Sequence, residues 1–131
     1  MAELFSAEWI SKFVDEWNNE PELAIELGKI GFSSTIGYGF DGDENSKVVI
    51  TVQNGQAISG ANYNGEELNW DLRASAEHWQ KWLTKPPGMM GLGMAYTSRK
   101  LKFNKGDYGA IVKDPRMAGP FIKSFAVMGR V

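Results

Sequence analysis

The sequence contains no cysteine and a single histidine, His78, so several classes of site are excluded from the start. Without cysteine there is no disulfide framework, no thiolate nucleophile and no cysteine-ligated metal. His78 has no second histidine with which to share a metal ion, and no nucleophile stands out for it to activate. No pair of carboxylates has a spacing that demands acid–base chemistry. We therefore expect a protein that is not an enzyme, with no catalytic residue, no metal site and no cofactor.

Long apolar runs are also missing, and none approaches the roughly 20 residues that span a bilayer. The first nine residues, MAELFSAEW, are acidic and amphipathic, which is not typical of a secretory signal. The absence of cysteine is consistent with a reducing compartment. We expect a soluble cytoplasmic protein, and the length of 131 residues predicts one domain covering residues 1–131.

The net charge of −2 hides a strong asymmetry along the chain. Residues 1–72 carry 13 acidic and 3 basic side chains, whereas residues 73–131 carry 3 acidic and 11 basic ones. Such a split indicates a basic surface for an anionic partner, two parts that attract each other, or charges that intermix on one surface. The acidic total and the inward phase of the aromatic side chains argue against nucleic-acid binding.

Apolar residues at helical spacing and capping residues at their starts predict five helical segments. They are residues 6–19 capped by Ser6, residues 21–28, residues 76–83 capped by Ser75, residues 108–113 capped by Asp107, and a last helix that starts at Asp114-Pro115. The segment MMGLGMAYTS, residues 89–98, predicts a loop followed by a helical turn. Its interleaved glycines favour either a mobile flap over an apolar pocket or a loosely packed core loop.

A period of two residues predicts five strands, at residues 30–40, 47–53, 56–61, 68–74 and 99–103. Asn54-Gly55 between the second and third strands predicts a tight hairpin. In the fourth strand, Leu68, Trp70 and Leu72 share one face, and Asp71 and Arg73 point outward. The predicted fold class is α+β, with a five-stranded, mostly antiparallel sheet covered on one face by helices.

Two segments carry a resemblance to a known family: NWDLRASAEHWQKWL, residues 69–83, and AYTSRKLKFNKGDYGAIVK, residues 95–113. They follow a pattern of strand, Ser-capped helix, small-residue helix, and a Lys-Leu-Lys-apolar strand that ends in Gly-Asp. In this order and spacing the chain resembles the sterol carrier protein 2 (SCP2-like) family over nearly its whole length. It departs from the pattern at Arg99, where glycine is usual. One extra residue between Lys102 and Gly106 predicts a bulge or a longer turn.

The resemblance implies an apolar tunnel between the sheet and the helices. It also implies non-enzymatic binding or transfer of hydrophobic ligands: fatty acids, fatty acyl-CoA or sterol-like lipids. Methionine fills irregular apolar space, and every methionine except Met1 lies in the last third of the chain. The predicted ligand-binding residues are bulky apolar ones: Trp70, Leu72, Trp79, Trp82, Leu83, Met89, Met90, Leu92, Met94, Phe103, Met117, Phe121, Phe125 and Met128.

The basic segment at residues 98–105 has two interpretations. Arg99, Lys100, Lys102 and Lys105 are predicted to contact an anionic head group or an anionic membrane surface. The alternative is a solvated strand at the sheet edge, where lysines prevent pairing with other sheets.

A second function stays open beside the hydrophobic carrier. The chain could be a dimeric interaction module or an accessory subunit that supports an enzyme. The tunnel would then be filled by side chains such as Trp70, Trp79 and Trp82, and the oppositely charged halves would favour a homodimer.

Overall fold

A computed structural model describes residues 3–131, which form six helices and five strands. The helices are α1 (Ala7–Asn18), α2 (Pro21–Lys29), α3 (Ala76–Thr84), α4 (Met89–Thr97), α5 (Tyr108–Lys113) and α6 (Pro115–Met128). The strands are β1 (Ser34–Phe40), β2 (Val48–Gln53), β3 (Gln56–Asn62), β4 (Trp70–Ala74) and β5 (Lys102–Lys105).

The predicted capping residues start their helices. The Ser6 hydroxyl accepts a hydrogen bond from the Trp9 backbone N–H at 3.1 Å, and the Asp114 carboxylate accepts one from the Arg116 backbone N–H at 2.9 Å. Each satisfies a donor that the first helical turn leaves unpaired. The caps predicted at Ser75 and Asp107 are present as well.

The strands form one mixed sheet in the order β3-β2-β1-β4-β5. β1 and β4 are parallel and the other three pairings are antiparallel, so the predicted sheet is confirmed. The hairpin predicted at Asn54-Gly55 is confirmed too, with positive φ angles of 49° and 85° at its two turn residues. Leu72 pairs with Phe103 and Asp71 with Lys105, which leaves Asn104 as the predicted bulge.

Four strands start later than predicted, β2 by only one residue, at Val48. β1 begins at Ser34 because Ile30 caps the C-terminus of α2 and Gly31, with φ of 62°, turns the chain. β4 begins at Trp70 rather than at residue 68. β5 begins at Lys102 because Arg99, with φ of 63°, turns the chain after α4.

The prediction of a loop followed by a helical turn at residues 89–98 was wrong in its first part, since all of residues 89–97 form α4. Glycine inside a helix costs about 1 kcal/mol relative to alanine, and Gly91 and Gly93 argued against a helix on that ground. Burial of Leu92 and Ala95, three residues apart on the inner face, overrides this preference.

An aromatic core lies between the sheet and the helices. The Tyr38 ring from β1 lies 5.9 Å from the Phe13 ring of α1 and 6.2 Å from the Trp79 ring of α3. The Trp79 ring stacks on Phe125 of α6 at 6.2 Å, and its indole N–H donates to the Gly39 carbonyl at 2.9 Å. These contacts hold three helices against one face of the sheet.

The other face of the sheet is covered by loops rather than by helices. Gly37 has no room for a side chain, because a Cβ there would lie 2.6 Å from the Ser46 hydroxyl and 2.7 Å from the Leu68 Cδ1. Leu68 therefore lies on the loop-covered face, not on the face of Trp70 as predicted.

The prediction that Asp71 and Arg73 point outward was wrong as well. Both side chains are buried beneath the loop at residues 41–47 and pair with each other. Ser46 in that loop donates to the Asp71 carboxylate at 2.7 Å. Arg73 in turn donates to the Asp43 carbonyl at 2.7 Å, so the pair fastens the loop to β4.

Candidate ligand cavity

An apolar cavity of about 50 Å³ lies between the central strands and helices α2, α5 and α6. Thirteen residues line it: Trp17, Leu23, Leu27, Phe32, Ile36, Tyr38, Trp70, Leu72, Ile111, Met117, Pro120, Phe121 and Ser124. The cavity can hold a water-sized molecule. It is several-fold smaller than pockets that enclose a typical small-molecule ligand, which measure about 300–1,000 Å³.

The floor of the cavity follows from strand alternation and from the parallel pairing of β1 with β4. Ile36 lies beside Trp70, and Tyr38 lies beside Leu72. Because alternate residues of a strand share a face, all four side chains point toward the helices. Burial raises the pKa of the Tyr38 phenol far above its usual range, so this wall stays uncharged at neutral pH.

The wall carries no charged side chain, and its two indole N–H groups and its serine hydroxyl are hydrogen-bonded. The indole N–H of Trp17 donates to the Gly55 carbonyl at 3.0 Å, and that of Trp70 donates to the Ser34 hydroxyl at 3.2 Å. The Ser124 hydroxyl donates to a carbonyl one turn earlier in α6 at 2.6 Å. The cavity therefore suits hydrocarbon, and a charged head group would have to lie outside it.

Helix α6 closes the cavity with one face. Met117, Phe121 and Ser124 recur at helical spacing along it, together with Pro120. Pro120 has no N–H and leaves one hydrogen bond of the helix unmade. This wall is therefore a helix that lacks one backbone hydrogen bond near its centre.

Two ion pairs hold α6 and the C-terminal residues against α2. Lys123 lies 2.6 Å from the Glu22 carboxylate, and Arg130 lies 2.8 Å from the Glu20 carboxylate. The Glu20 carboxylate also accepts the Glu22 backbone N–H at 3.1 Å. The backbone hydrogen bond and the Arg130 guanidinium lower the pKa of Glu20, so the Glu20 carboxylate is charged at neutral pH.

A solvent-open groove of about 660 Å³ runs between α2 and α6 on the outside of this wall. Pro120 lines both the groove and the cavity. The groove carries charges of both signs, from Glu22, Glu26, Lys29 and Arg116. A displacement of α6 at Pro120 would connect the cavity with this groove.

The structure brings four predicted ligand-binding residues to the cavity: Trp70, Leu72, Met117 and Phe121. Phe103 stands directly behind them, with its ring 6.2 Å from Trp70 and 6.0 Å from Phe121. Six other predicted residues pack in or against the core away from the cavity: Trp79, Trp82, Leu83, Leu92, Phe125 and Met128. The predicted residues Met89, Met90 and Met94 lie exposed on the outer side of α4.

Nine of the lining residues were not among those predicted: Trp17, Leu23, Leu27, Phe32, Ile36, Tyr38, Ile111, Pro120 and Ser124. Ile36 and Tyr38 do carry a signal, because their alternation marks a buried strand face. The lining residues on helices carry no such signal, because their apolar spacing predicts that they are buried but does not predict which strand they cover.

The four basic residues predicted to contact a head group do not line the cavity. Arg99 and Lys100 are exposed just after α4, and Lys102 lies 3.0 Å from the Asp41 carboxylate. Lys105 borders a polar pocket on the loop-covered face. Lys102 and Lys105 belong to β5, an edge strand, which agrees with the alternative of lysines protecting the sheet edge.

The His78 side chain is packed against an aromatic ring and lies within hydrogen-bond distance of a hydroxyl. Its ring Nδ1 lies 2.9 Å from the Ser75 hydroxyl, and its ring stacks on Trp82 at 5.9 Å. Among residues 3–131, no group of three or more His, Cys, Asp or Glu side chains is placed to hold a metal ion. Within the same range, no helix combines the length and the apolar character that crossing a membrane requires.

The five-stranded sheet in this order, with helices on one face, is an SCP2-like α+β fold. The crystal structure of sterol carrier protein 2 superposes with a TM-score of 0.76 at 19% identity, covering 98% of this chain and 99% of that one. The fold predicted from the sequence resemblance is confirmed.

Two further solved structures share the fold. One is a conserved hypothetical protein of Thermus thermophilus described as a candidate sterol carrier protein, with a TM-score of 0.64, 17% identity, and coverage of 96% of this chain and 90% of that one. The other is a ubiquinone synthesis protein named UbiJ-SCP2, with a TM-score of 0.59, 11% identity, and coverage of 93% and 88%. No protein-family model and no curated protein matches the sequence.

Proposed function

We propose that this protein binds hydrophobic ligands without chemical conversion, in the cavity between the sheet and helices α2, α5 and α6. The observation that carries the proposal is an apolar, uncharged wall whose two indole N–H groups and Ser124 hydroxyl are already hydrogen-bonded. Burial of an acyl chain contributes about 0.8 kcal/mol per methylene, so a chain of about ten methylenes binds usefully without a charged contact.

The size of the cavity favours flexible chains over rigid rings. A volume of about 50 Å³ leaves room for only a small part of any lipid. Fatty acids and the acyl chains of acyl-CoA can enter progressively as Met117 and Phe121 change rotamer. A sterol is rigid and requires its full width at once. We therefore rank acyl chains above sterols, with Trp70 and Leu72 as the fixed floor of the site.

Enlargement of the cavity requires α6 to move relative to α2. The unmade hydrogen bond at Pro120 and the exposed ion pair between Lys123 and Glu22 are the contacts that such a movement strains least. The polar head of the ligand would then lie in the outer groove, where Lys29 and Arg116 offer positive charge.

Fluorescence quenching tests this proposal directly, because Trp17 and Trp70 line the cavity. A brominated long-chain fatty acid should quench tryptophan emission saturably, and native mass spectrometry should show one ligand per chain. Met117→Glu, which places a charge in the wall, and Ser124→Leu, which fills the cavity, should each weaken binding. Ile58→Glu is the matched control, since Ile58 is exposed on β3.

The proposal fails if all three variants bind the fatty acid equally, or if saturating ligand adds no mass and changes no emission in the folded wild type. A thermal shift on ligand addition gives an independent readout. A ligand at 100 times its Kd should stabilise the native state by about 2.7 kcal/mol.

The second candidate function is an interaction module or accessory subunit, including a homodimer. The small cavity favours it, because side chains already fill most of the space between sheet and helices. The name of the ubiquinone synthesis protein UbiJ-SCP2 points to use of this fold outside sterol carriage. A salt-sensitive dimer with no bound lipid in native mass spectrometry would favour this candidate over the first.

A further inference from the structure

Helix α4 has an apolar outer side that nothing within the described part of the chain covers. Its nine residues, MMGLGMAYT, include no charged side chain. Leu92 and Ala95 face the core, whereas Met90 is 81% exposed and Met94 is 68% exposed on the opposite side. A helix that is apolar on all sides is normally buried or in contact with lipid.

The exposed apolar side chains belong to α4 itself. Met90 and Met94 line a shallow groove whose wall also includes Tyr108 of α5, which is only 8% exposed, and Met89 is exposed next to Met90. We call Met89, Met90 and Met94 the methionine face. Large exposed apolar side chains that cluster in this way mark an interaction surface.

Most of the charge in the chain segments next to the methionine face is basic, and Asp107, which caps α5, is the acidic exception. Residues 78–106, which contain α4, have six basic side chains and no acidic one. The basic residues are Lys81, Lys85, Arg99, Lys100, Lys102 and Lys105. Among residues 3–131, Asp41 is the only acidic partner of this group, and it pairs with Lys102 at 3.0 Å.

We propose that the methionine face docks this protein onto an anionic phospholipid bilayer. Met90 and Met94 would enter the boundary between head groups and acyl chains, and Arg99 and Lys100 would lie at the phosphate level. Methionine side chains are flexible and unbranched, which suits a fluid surface without fixed shape. A second copy of this face is a poor partner, because two faces in contact would bring two sets of like charges together.

If the proposed function holds, docking at this face would support ligand binding, because aromatic rings connect the face to the cavity. The Tyr108 ring lies 6.3 Å from the Phe121 ring, and Phe121 lines the cavity. Docking would thus turn the Phe121 wall of the cavity toward a source of lipid. The adsorption itself does not require that the cavity bind anything.

Vesicle sedimentation with ligand-free protein tests the docking. The wild type should bind vesicles of phosphatidylcholine mixed with phosphatidylglycerol and should bind pure phosphatidylcholine vesicles weakly. Met90→Asp/Met94→Asp should lower the partition coefficient for the mixed vesicles by about tenfold or more, and so should Arg99→Glu/Lys100→Glu. Ile58→Asp, an equally polar change at a site 57% exposed on β3, should leave it unchanged.

Equal binding to neutral and anionic vesicles, or a double methionine variant that binds as the wild type does, overturns the proposal. So does self-association that the methionine variant abolishes while no vesicle binding is seen. Far-UV circular dichroism checks that the variants fold. Met117→Glu, whose change lies at the cavity, should keep vesicle binding, so failure of the ligand proposal is distinguishable from failure of docking.

Discussion

Replacing Arg73 with methionine should lower the free energy of unfolding by about 3–5 kcal/mol, because it leaves the Asp71 carboxylate buried without its cation. Arg73 is 2% exposed and Asp71 is 6% exposed. The guanidinium contacts the carboxylate twice, Nε to Oδ1 at 2.7 Å and Nη2 to Oδ2 at 3.1 Å. After the substitution only the Ser46 hydroxyl would remain to stabilise the charge.

The double variant Asp71→Leu/Arg73→Met should cost less than Arg73→Met alone. Replacing a buried ion pair by apolar side chains is often neutral or favourable. The remaining costs are two lost hydrogen bonds, from Arg73 to the Asp43 carbonyl at 2.7 Å and from the Ser46 hydroxyl to the Asp71 carboxylate at 2.7 Å, each worth about 1–2 kcal/mol. The coupling energy between the two sites should therefore exceed about 2 kcal/mol.

Urea unfolding at neutral pH, followed by tryptophan emission, measures all members of this cycle. Arg116→Met is the matched control, since Arg116 pairs with Asp114 at 2.9 Å on the exposed surface. Such a pair contributes less than about 1 kcal/mol. If Arg73→Met costs no more than Arg116→Met, or if the effects of the Asp71 and Arg73 substitutions simply add, the reasoning from burial is wrong.

Further predictions concern two glycines and one carboxylate. Gly106→Ala should destabilise the protein by about 1–3 kcal/mol, because φ is 96° and a Cβ would collide with the indole ring on β4. Gly119 lies inside α6 with open space around it, so Gly119→Ala should leave the free energy of unfolding unchanged or raise it by up to about 1 kcal/mol. Thermal unfolding of both glycine variants measures this difference. The Glu22 backbone N–H and Arg130 lower the pKa of Glu20 below its ordinary 4.5. The ionised Glu20 carboxylate therefore stabilises the native state fully above pH 4.5, and this stabilisation is lost as the pH falls through the lowered pKa. In Glu20→Gln, the free energy of unfolding from urea titrations should therefore fall less steeply with acid than in the wild type. An equally steep loss in that variant would contradict the assignment.

Much of the fold could be predicted because its signals are local. Ser6 and Asp114 cap helices through backbone donors two or three residues away. Asn54-Gly55 turns the chain within its own two residues. The extra residue near Asn104 also produces its bulge locally. These features depend on few neighbours, so composition and spacing suffice to find them.

The cavity could be predicted only in part. Trp70, Leu72, Met117 and Phe121 were found because each is bulky and lies on a face with an apolar period. Trp17 could not be assigned, because its place depends on how α1 crosses the sheet. Whether the predicted contacts from Met89, Met90 and Met94 form in a ligand-bound state stays a prediction.

The sequence by itself determined the helix caps, the hairpin, the strand alternation and the order of elements that marks the SCP2-like fold. Only the tertiary structure decided that Asp71 and Arg73 are buried, that α4 is helical from Met89 onward, and that the cavity is small. Ser46 and Asp71 are 25 residues apart when they meet. Such contacts depend on which surfaces the folded chain brings together, and a local pattern of residue types does not specify them.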